Sequence, residues 1–386
     1  MKKVFALLLV LLICLTGCSN ANNEDDGDSE TSSTINFAVL ATLTGNYAEF
    51  GKSFKVAMGM AADEINAAGG VNGKTIELTI YDSKGDAAES SDLARQIVDD
   101  EKYVACIGDF SSGASMADAP IFGDAGMVLL SPTASNSQFT PMNDYMFSIM
   151  GLTSDESQFF MTYLVKKFKG KDNVAIVYSN TEWGNQVNEA MVEQAKVDGT
   201  TIVADEPVAE GEIDYSNVLN KVKASNPELL ILVLQTVDCA HALNSLAQIG
   251  WDIEVVSQGA SSSAQVIELA GENAEGLCST TSFFIDESNP TEKAWLDKFV
   301  EGAGFSPTVH AAVAYDAVYI MAEAAKACGD EVTREGIHTA LKNMGTYQGF
   351  TGPIEFDETG SIFRKVLIVQ VENGKFVRKT DYNYGD

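Results

Sequence analysis

The sequence predicts an α/β protein: two doubly wound parallel-sheet lobes joined by a three-crossing hinge. Three observations carry that expectation. β-rich apolar runs alternate with amphipathic helical stretches from Ile35 onward, the alternation restarts near Asn173, and no Pro- or Ser-rich linker separates the two sets. At 386 residues, with 45% hydrophobic and 9% aromatic residues, the chain can bury two sizeable cores.

Ile35–Thr42 reads as the first strand and leads into a loop over Leu43–Gly51. Residues 53–68 place Phe54, Ala57, Met58, Ala61 and Ile65 at helical spacing, and Gly69-Gly70 stop that helix. Strand Thr75–Tyr81, helix Ala87–Asp100, strand 103–107, a helix over 112–123 and strand Met127–Leu130 follow. This βαβ repetition implies a parallel sheet covered by helices on both faces. The second set runs through strand Asn173–Tyr178, helix Trp183–Asp198, short strand Thr201–Ala204 and helix Tyr215–Ala224. Strand Leu229–Leu234 and helix Asp238–Ile249 complete it. The expected lobes are 35–150 plus 281–356 and 151–280 plus 357–386, with crossings at Phe147–Leu152, Gly276–Phe284 and Thr351–Ile362. Short multiple crossovers make a hinge of the kind that closes around a ligand.

Lys2 and Lys3 precede the apolar run Val4–Leu15, which is too short for a permanent membrane span and reads as a secretory signal over residues 1–17. Leu15-Thr16-Gly17-Cys18 resembles the lipobox of bacterial lipoproteins. That resemblance implies cleavage before Cys18, a diacylglycerol on its sulfur, and a body tethered outside the cytoplasmic membrane. Residues 18–34 read as a disordered acidic tether, since Ser19–Ser33 holds five acids and no bulky apolar group. The formal net charge is −30, which argues against nucleic acid or an anionic membrane surface as partner, because both need positive patches. Cys106, Cys239, Cys278 and Cys328 form no CxxC pair and read as free thiols, Cys106 and Cys278 in strand-like runs.

One stretch does little for a core. After Tyr103–Ile107 comes Gly108-Asp-Phe-Ser-Ser-Gly-Ala-Ser-Met-Ala-Asp-Ala-Pro120. It lies at the carboxyl end of a strand, where parallel α/β sheets bind ligands, and it starts a helix whose first N–H groups favour an anion. Ser111 and Ser112 add hydroxyl donors, while Gly113 and Ala114 keep the approach open. One strand later Ser131-Pro-Thr-Ala-Ser-Asn136 offers the same chemistry through Thr133, Ala134 and Ser135. Two neighbouring strand ends of this kind point to one shared pocket for a carboxylate.

Gly51-Lys-Ser-Phe-Lys-Val-Ala-Met, Asp63–Gly73, Tyr81-Asp82, Cys106–Gly113 and Leu130–Ser135 follow one another in order. Ala270–Leu277, Ala314–Ala317 and Thr351–Ser361 extend the set over nearly the whole chain. The pattern resembles the leucine/isoleucine/valine-binding family of type I periplasmic solute-binding proteins. The resemblance implies a binder of small solutes, often branched-chain amino acids, that serves an ABC permease and its ATPase. It places the carboxylate-binding serine at Ser111, the second hydroxyl at Ser135 and the ammonium-accepting carbonyl at Thr133. It places an aromatic wall at Phe50, with Tyr47 competing, a ligand-covering residue at Trp183 and a further lining position at Gln235. Where the family's amino-acid binders often carry an acid for the ammonium, this chain has Gly259. Either Asp238 or Asp316 substitutes, or the solute is a keto acid, aromatic acid or other compound without an α-amino group.

The rival readings have less behind them. The chain holds three histidines, none at metal-ligand spacing from another ligand, and no GxSxG, P-loop or GxGxxG after a strand. A binder rather than an enzyme is expected, without cofactor or metal and acting as a monomer. A ligand-sensing component of a signalling receptor is the other binding role, and it requires a separate membrane partner. Trp251 and Trp295 read as packing residues.

Overall fold

The structure, a computed structural model, describes residues 34–380 apart from Asn46. The signal segment, Cys18 and the tether up to residue 33 lie outside the described residues, whereas Thr34 already belongs to the first strand.

The first sheet is wholly parallel, in the order β2-β1-β3-β4-β5. Its strands are β1 (Thr34–Ala41), β2 (Thr75–Asp82), β3 (Tyr103–Ile107), β4 (Val128–Ser131) and β5 (Met146–Ser148), connected in part by helices α1 (Ala48–Ala67), α2 (Ala87–Asp99) and α3 (Ser112–Asp124). Helix α1 begins five residues ahead of the expected start. Phe50 extends the buried stripe of Phe54, Ala57, Met58, Ala61 and Ile65 by one further turn, so the tertiary core winds what reads as loop into helix.

A helix absent from the expected set follows β5. It begins as α4 (Thr153–Phe159) and continues with wider i→i+5 winding through Phe160–Lys169. The second sheet then builds from β6 (Asn173–Ser179), β7 (Thr201–Val208), β8 (Leu229–Val233), β9 (Val255–Ser257) and β10 (Cys278–Thr281). Helices α5 (Glu182–Asp198), α6 (Ser216–Lys223), α7 (Thr236–Gln248) and α8 (Ala264–Ala270) alternate with these strands. Strand β8 is buried along its whole length, as a central parallel strand covered on both faces requires.

The chain then returns to the first lobe. Helices α9 (Pro290–Ala303), α10 (Val309–Ala327) and α11 (Arg334–Lys342) share a core with α1, and β11 (Tyr347–Gly349) pairs with β12 (Gly352–Ile354). It crosses once more to add β13 (Leu367–Glu372) and β14 (Lys375–Thr380), antiparallel at the edge of the second sheet. That sheet runs β14-β13-β10-β9-β8-β6-β7. The hairpin turns on Asn373-Gly374, with φ of 54° and 72°, the two positive values that a tight type I′ turn needs.

Each sheet has an apolar core on both faces, which makes each lobe doubly wound. The lobes are joined at 149–152, at 282–285 and at 363–366. Ile149, Phe283, Ile285 and Ile362 pack with the first lobe, and Val366 packs with the second.

A buried acid pair sits where α2 meets α3. The Ser90 hydroxyl donates to Asp118 at 2.6 Å and lies 3.4 Å from Asp109, and Ser91 donates to the other Asp118 oxygen at 3.3 Å. Burial, with Asp109 beside it, pushes Asp118 up to about 7. A carboxyl raised this far holds its proton in the folded chain at pH values where the unfolded chain has lost it. Stability therefore falls as pH rises from about 4 to about 7, and the penalty is complete above that window. Asp118→Asn removes the penalty. The substitution is expected to raise stability at pH 8 by roughly 1–3 kcal/mol and to narrow the difference in Tm between pH 5 and pH 8. An unchanged Tm difference would show that Asp118 titrates normally.

Candidate functional site

The loops that leave the carboxyl ends of the strands in the two lobes face one another across a cavity of about 220 Å³. In the first lobe, side chains lock two of these loops together. The Ser131 hydroxyl donates to the Asp109 carbonyl at 2.8 Å and accepts the Ala134 N–H at 2.8 Å. The Thr133 hydroxyl donates to the Phe110 carbonyl at 2.8 Å. Ser111 caps α3 by accepting the Ala114 N–H at 3.1 Å, and the N–H groups of Ser112 and Gly113 fall in the helix's first turn, where no intrahelical acceptor exists. Ser135 meets the start of α4: its carbonyl accepts the Thr153 N–H and its hydroxyl accepts the Thr153 hydroxyl, both at 2.9 Å.

Of the sites expected from the sequence, Tyr47, Ser111, Ser112, Thr133 and Ser135 line the cavity from the first lobe. Trp183, Gln235 and Gly259 line it from the second. Two do not. Phe50 is fully buried and stacks on Phe110 with centroids 4.2 Å apart, and Phe110 is the ring that lines the cavity. The early start of α1 turns Phe50 inward. Ala134 lies in the core with both backbone groups committed, its N–H to Ser131 and its carbonyl to the Ser148 hydroxyl at 2.6 Å. Neither Asp238 nor Asp316 lines the cavity, so neither stands in for an acid at Gly259.

A residue that sequence reasoning missed does line it. The Glu156 carboxylate, from the first turn of α4, accepts the Thr280 hydroxyl at 2.6 Å and the Gly259 N–H at 3.2 Å on one oxygen. Its other oxygen accepts the Gln258 side-chain N–H at 2.5 Å. A Cβ at Gly259 would stand 2.8 Å from the Glu156 Oε1, closer than real Cβ atoms come, so glycine is what leaves room for the carboxylate. The pattern Thr153-Ser-Asp-Glu156 ahead of an apolar run is a helix-start signal that would have found the helix, though not the place its acid reaches.

The remaining lining is acidic and aromatic. Asp155, Glu182 and Glu210 contribute carboxylates, and among the described lining residues Arg364 is the one lysine or arginine. Its guanidinium is already engaged with the Ile149 carbonyl at 2.9 Å and with the Thr351 hydroxyl at 2.7 Å. His310 lies edge-on to Phe50 and Phe110, and burial lowers its pKa to about 4, so it is neutral at pH 7. At the rim the lobes touch: the Gln186 amide donates to Asn136 Oδ1 at 2.9 Å and to the Ser137 hydroxyl at 2.8 Å.

Two largely parallel sheets feeding one cleft is an arrangement with known relatives, and residues 34–375 match the periplasmic binding protein family. The chain belongs to that family. It is a family of solute-binding proteins, not of enzymes. Leu/Ile/Val-binding protein homolog 2 of Brucella abortus is 29% identical over 330 residues, covering 84% of this chain and 87% of that protein. Among solved structures, the branched-chain amino acid transporter substrate binding protein LivJ from Streptococcus pneumoniae, in complex with isoleucine, is 25% identical with a TM-score of 0.81. The match covers 90% of this periplasmic binding protein and 100% of LivJ. A solute binding protein from Rhodopseudomonas palustris, in complex with 3,4-dihydroxy benzoic acid, shares the fold at 21% identity with a TM-score of 0.83, over 92% of this chain and 98% of its own. No helix among the described residues is long and apolar enough to cross a membrane. The four cysteines of the folded body are free, with Cys106, Cys239 and Cys278 buried and Cys328 partly so.

Proposed function

We propose that this chain is the solute-binding lipoprotein of an ABC importer, held through Cys18 to the outer face of the cytoplasmic membrane. It captures a small carboxylate-bearing solute, first of all a branched-chain amino acid, by closing its two lobes, and performs no chemistry on it. One observation carries the reading: donors on Ser111, Ser112 and Ser135 face Trp183 and Gln235 of the other lobe across a single cavity. The solute's carboxylate meets hydroxyls and first-turn N–H groups in the first lobe. Trp183 and Gln235 then favour the closed form by contacts made only there. The protein works as a monomer, and the closed form delivers its solute to a permease driven by a separate ATPase. The Brucella and Streptococcus relatives, named for branched-chain amino acids, support this choice of solute.

A thermal-shift screen of leucine, isoleucine, valine, their 2-oxo acids and benzoate tests the reading. A ligand present at a hundred times its Kd stabilises by about 2.7 kcal/mol, which raises Tm by roughly 5 °C or more. A panel in which no compound moves Tm would end it.

A further inference from the structure

Gly259 leaves open which solute the cavity takes, and the answer turns on the carboxylate that fills the glycine's space. Glu156 Oε1 and Oε2 receive three hydrogen bonds, all from neutral donors. An ionised carboxylate accepts about four, so one acceptor position remains. Glu156 forms no ion pair within 4.0 Å among the described residues, although it lines the cavity wall. Burial pushes its pKa up, and the bonds from Thr280, Gly259 and Gln258 pull it back. A carboxylate that meets only neutral donors on a cavity wall has no counter-charge of its own.

The surroundings do not supply one. Arg364 forms no ion pair with Glu156 among the described residues, its Nε and one Nη donating to Ile149 and Thr351 and its other Nη being unpartnered; His310 is neutral, and Asp155, Glu182 and Glu210 add further negative charge to the lining. Position adds a second argument. The Ser135 hydroxyl is bonded to Thr153, and Glu156 lies three residues further along the same helix. Residues at that spacing stand about 5–6 Å apart at their Cβ atoms. Ser135 and Glu156 are thus both anchored at the first turn of α4 and both line the cavity, so one small solute can meet the two.

Resting on the solute-binding reading above, we propose that Glu156 recognises a cationic amino group of the solute, reaching the cavity from α4 through the space left by Gly259. The solute class is then the α-amino acid, and keto acids and aromatic acids are rejected. They would place a neutral or apolar group against a carboxylate that three neutral donors leave without a counter-charge.

Calorimetric titration of the full chain with leucine, isoleucine, valine and alanine, each beside its 2-oxo counterpart, and with benzoate separates the possibilities. The wild-type chain is expected to prefer one amino acid over its 2-oxo acid by at least about 30-fold. Glu156→Gln, which keeps size and most hydrogen bonds, is expected to weaken that amino acid by a similar factor while the 2-oxo acid changes by less than about threefold. Retained 2-oxo acid affinity and an unshifted Tm of the empty variant show that the fold is intact. A wild-type chain that binds the 2-oxo acid or benzoate as well as any amino acid overturns the role of Glu156 and leaves the solute-binding reading standing. So does a Glu156→Gln variant with unchanged amino-acid affinity. If nothing in the panel binds the wild-type chain, both fall.

Discussion

A chain carrying Ser111→Ala and Ser135→Ala together is expected to bind its preferred amino acid between ten- and a thousandfold more weakly in a calorimetric titration. Each hydroxyl bonded to a carboxylate contributes about 1.5–3 kcal/mol, and each factor of ten in Kd is about 1.4 kcal/mol. The two losses add incompletely, because both donors meet the same carboxylate. Each serine also holds a structural bond. Ser111 also caps α3 through the Ala114 N–H, so its removal costs about 1 kcal/mol of folding free energy and lowers Tm by roughly 2–4 °C. Ser135→Ala keeps the backbone bond from the Thr153 N–H but leaves the buried Thr153 hydroxyl without its acceptor, at a cost of about 1–3 kcal/mol. Ser111→Gly spares most of the cap and is expected to restore Tm without restoring affinity. Wild-type affinity in the double variant would remove both hydroxyls from the site.

Most of the first lobe was legible because its signals are local. Gly69-Gly70 end α1, near-continuous apolar runs mark β1 and β3, and alternation marks β2. Ser111 and Ser135 line the cavity, and they were legible as candidates because small hydroxyl residues cluster at two adjacent strand ends. The failures share one physical cause, which is that long-range packing decides them. Phe50 reads as a loop aromatic until the core behind Phe110 winds α1 back to Ala48. Ala134 sits between two good site residues, but Ser131 and Ser148 take both its backbone groups. Glu156 lies 103 residues from Gly259 in sequence, and only the sheet brings its carboxylate to that glycine. The β13–β14 hairpin is different, since Asn373-Gly374 between alternating apolar residues is a local signal, and the sequence reading passed over it.

Removal of the Asp316 carboxylate is expected to produce the largest loss of stability among these predictions. Asp316 is buried on α10 and accepts the Phe350 N–H at 2.7 Å, the Thr351 N–H at 2.9 Å and the Thr351 hydroxyl at 2.5 Å. The Thr351 hydroxyl in turn accepts from Arg364 at 2.7 Å, and Arg364 Nε donates to the Ile149 carbonyl at 2.9 Å. This chain of bonds runs from the core of the first lobe to two of the three crossings, at 149–152 and 363–366. Asp316→Ala leaves three donors unsatisfied, two of them buried, and removes the carboxylate that favours the charged form of Arg364. A donor left unsatisfied in the interior costs about 1–3 kcal/mol, and several lost together cost more, so Tm is expected to fall by roughly 10 °C. Asp316→Leu combined with Arg364→Met removes both charges and is expected to cost less than Asp316→Ala alone, because an unpaired buried charge is dearer than an apolar pair. If the single variant melts within about 3 °C of the wild type, or the double variant is the less stable of the two, then the charge relay does not hold the crossings. The hinge would then rest on apolar packing around Ile149, Phe283, Ile362 and Val366.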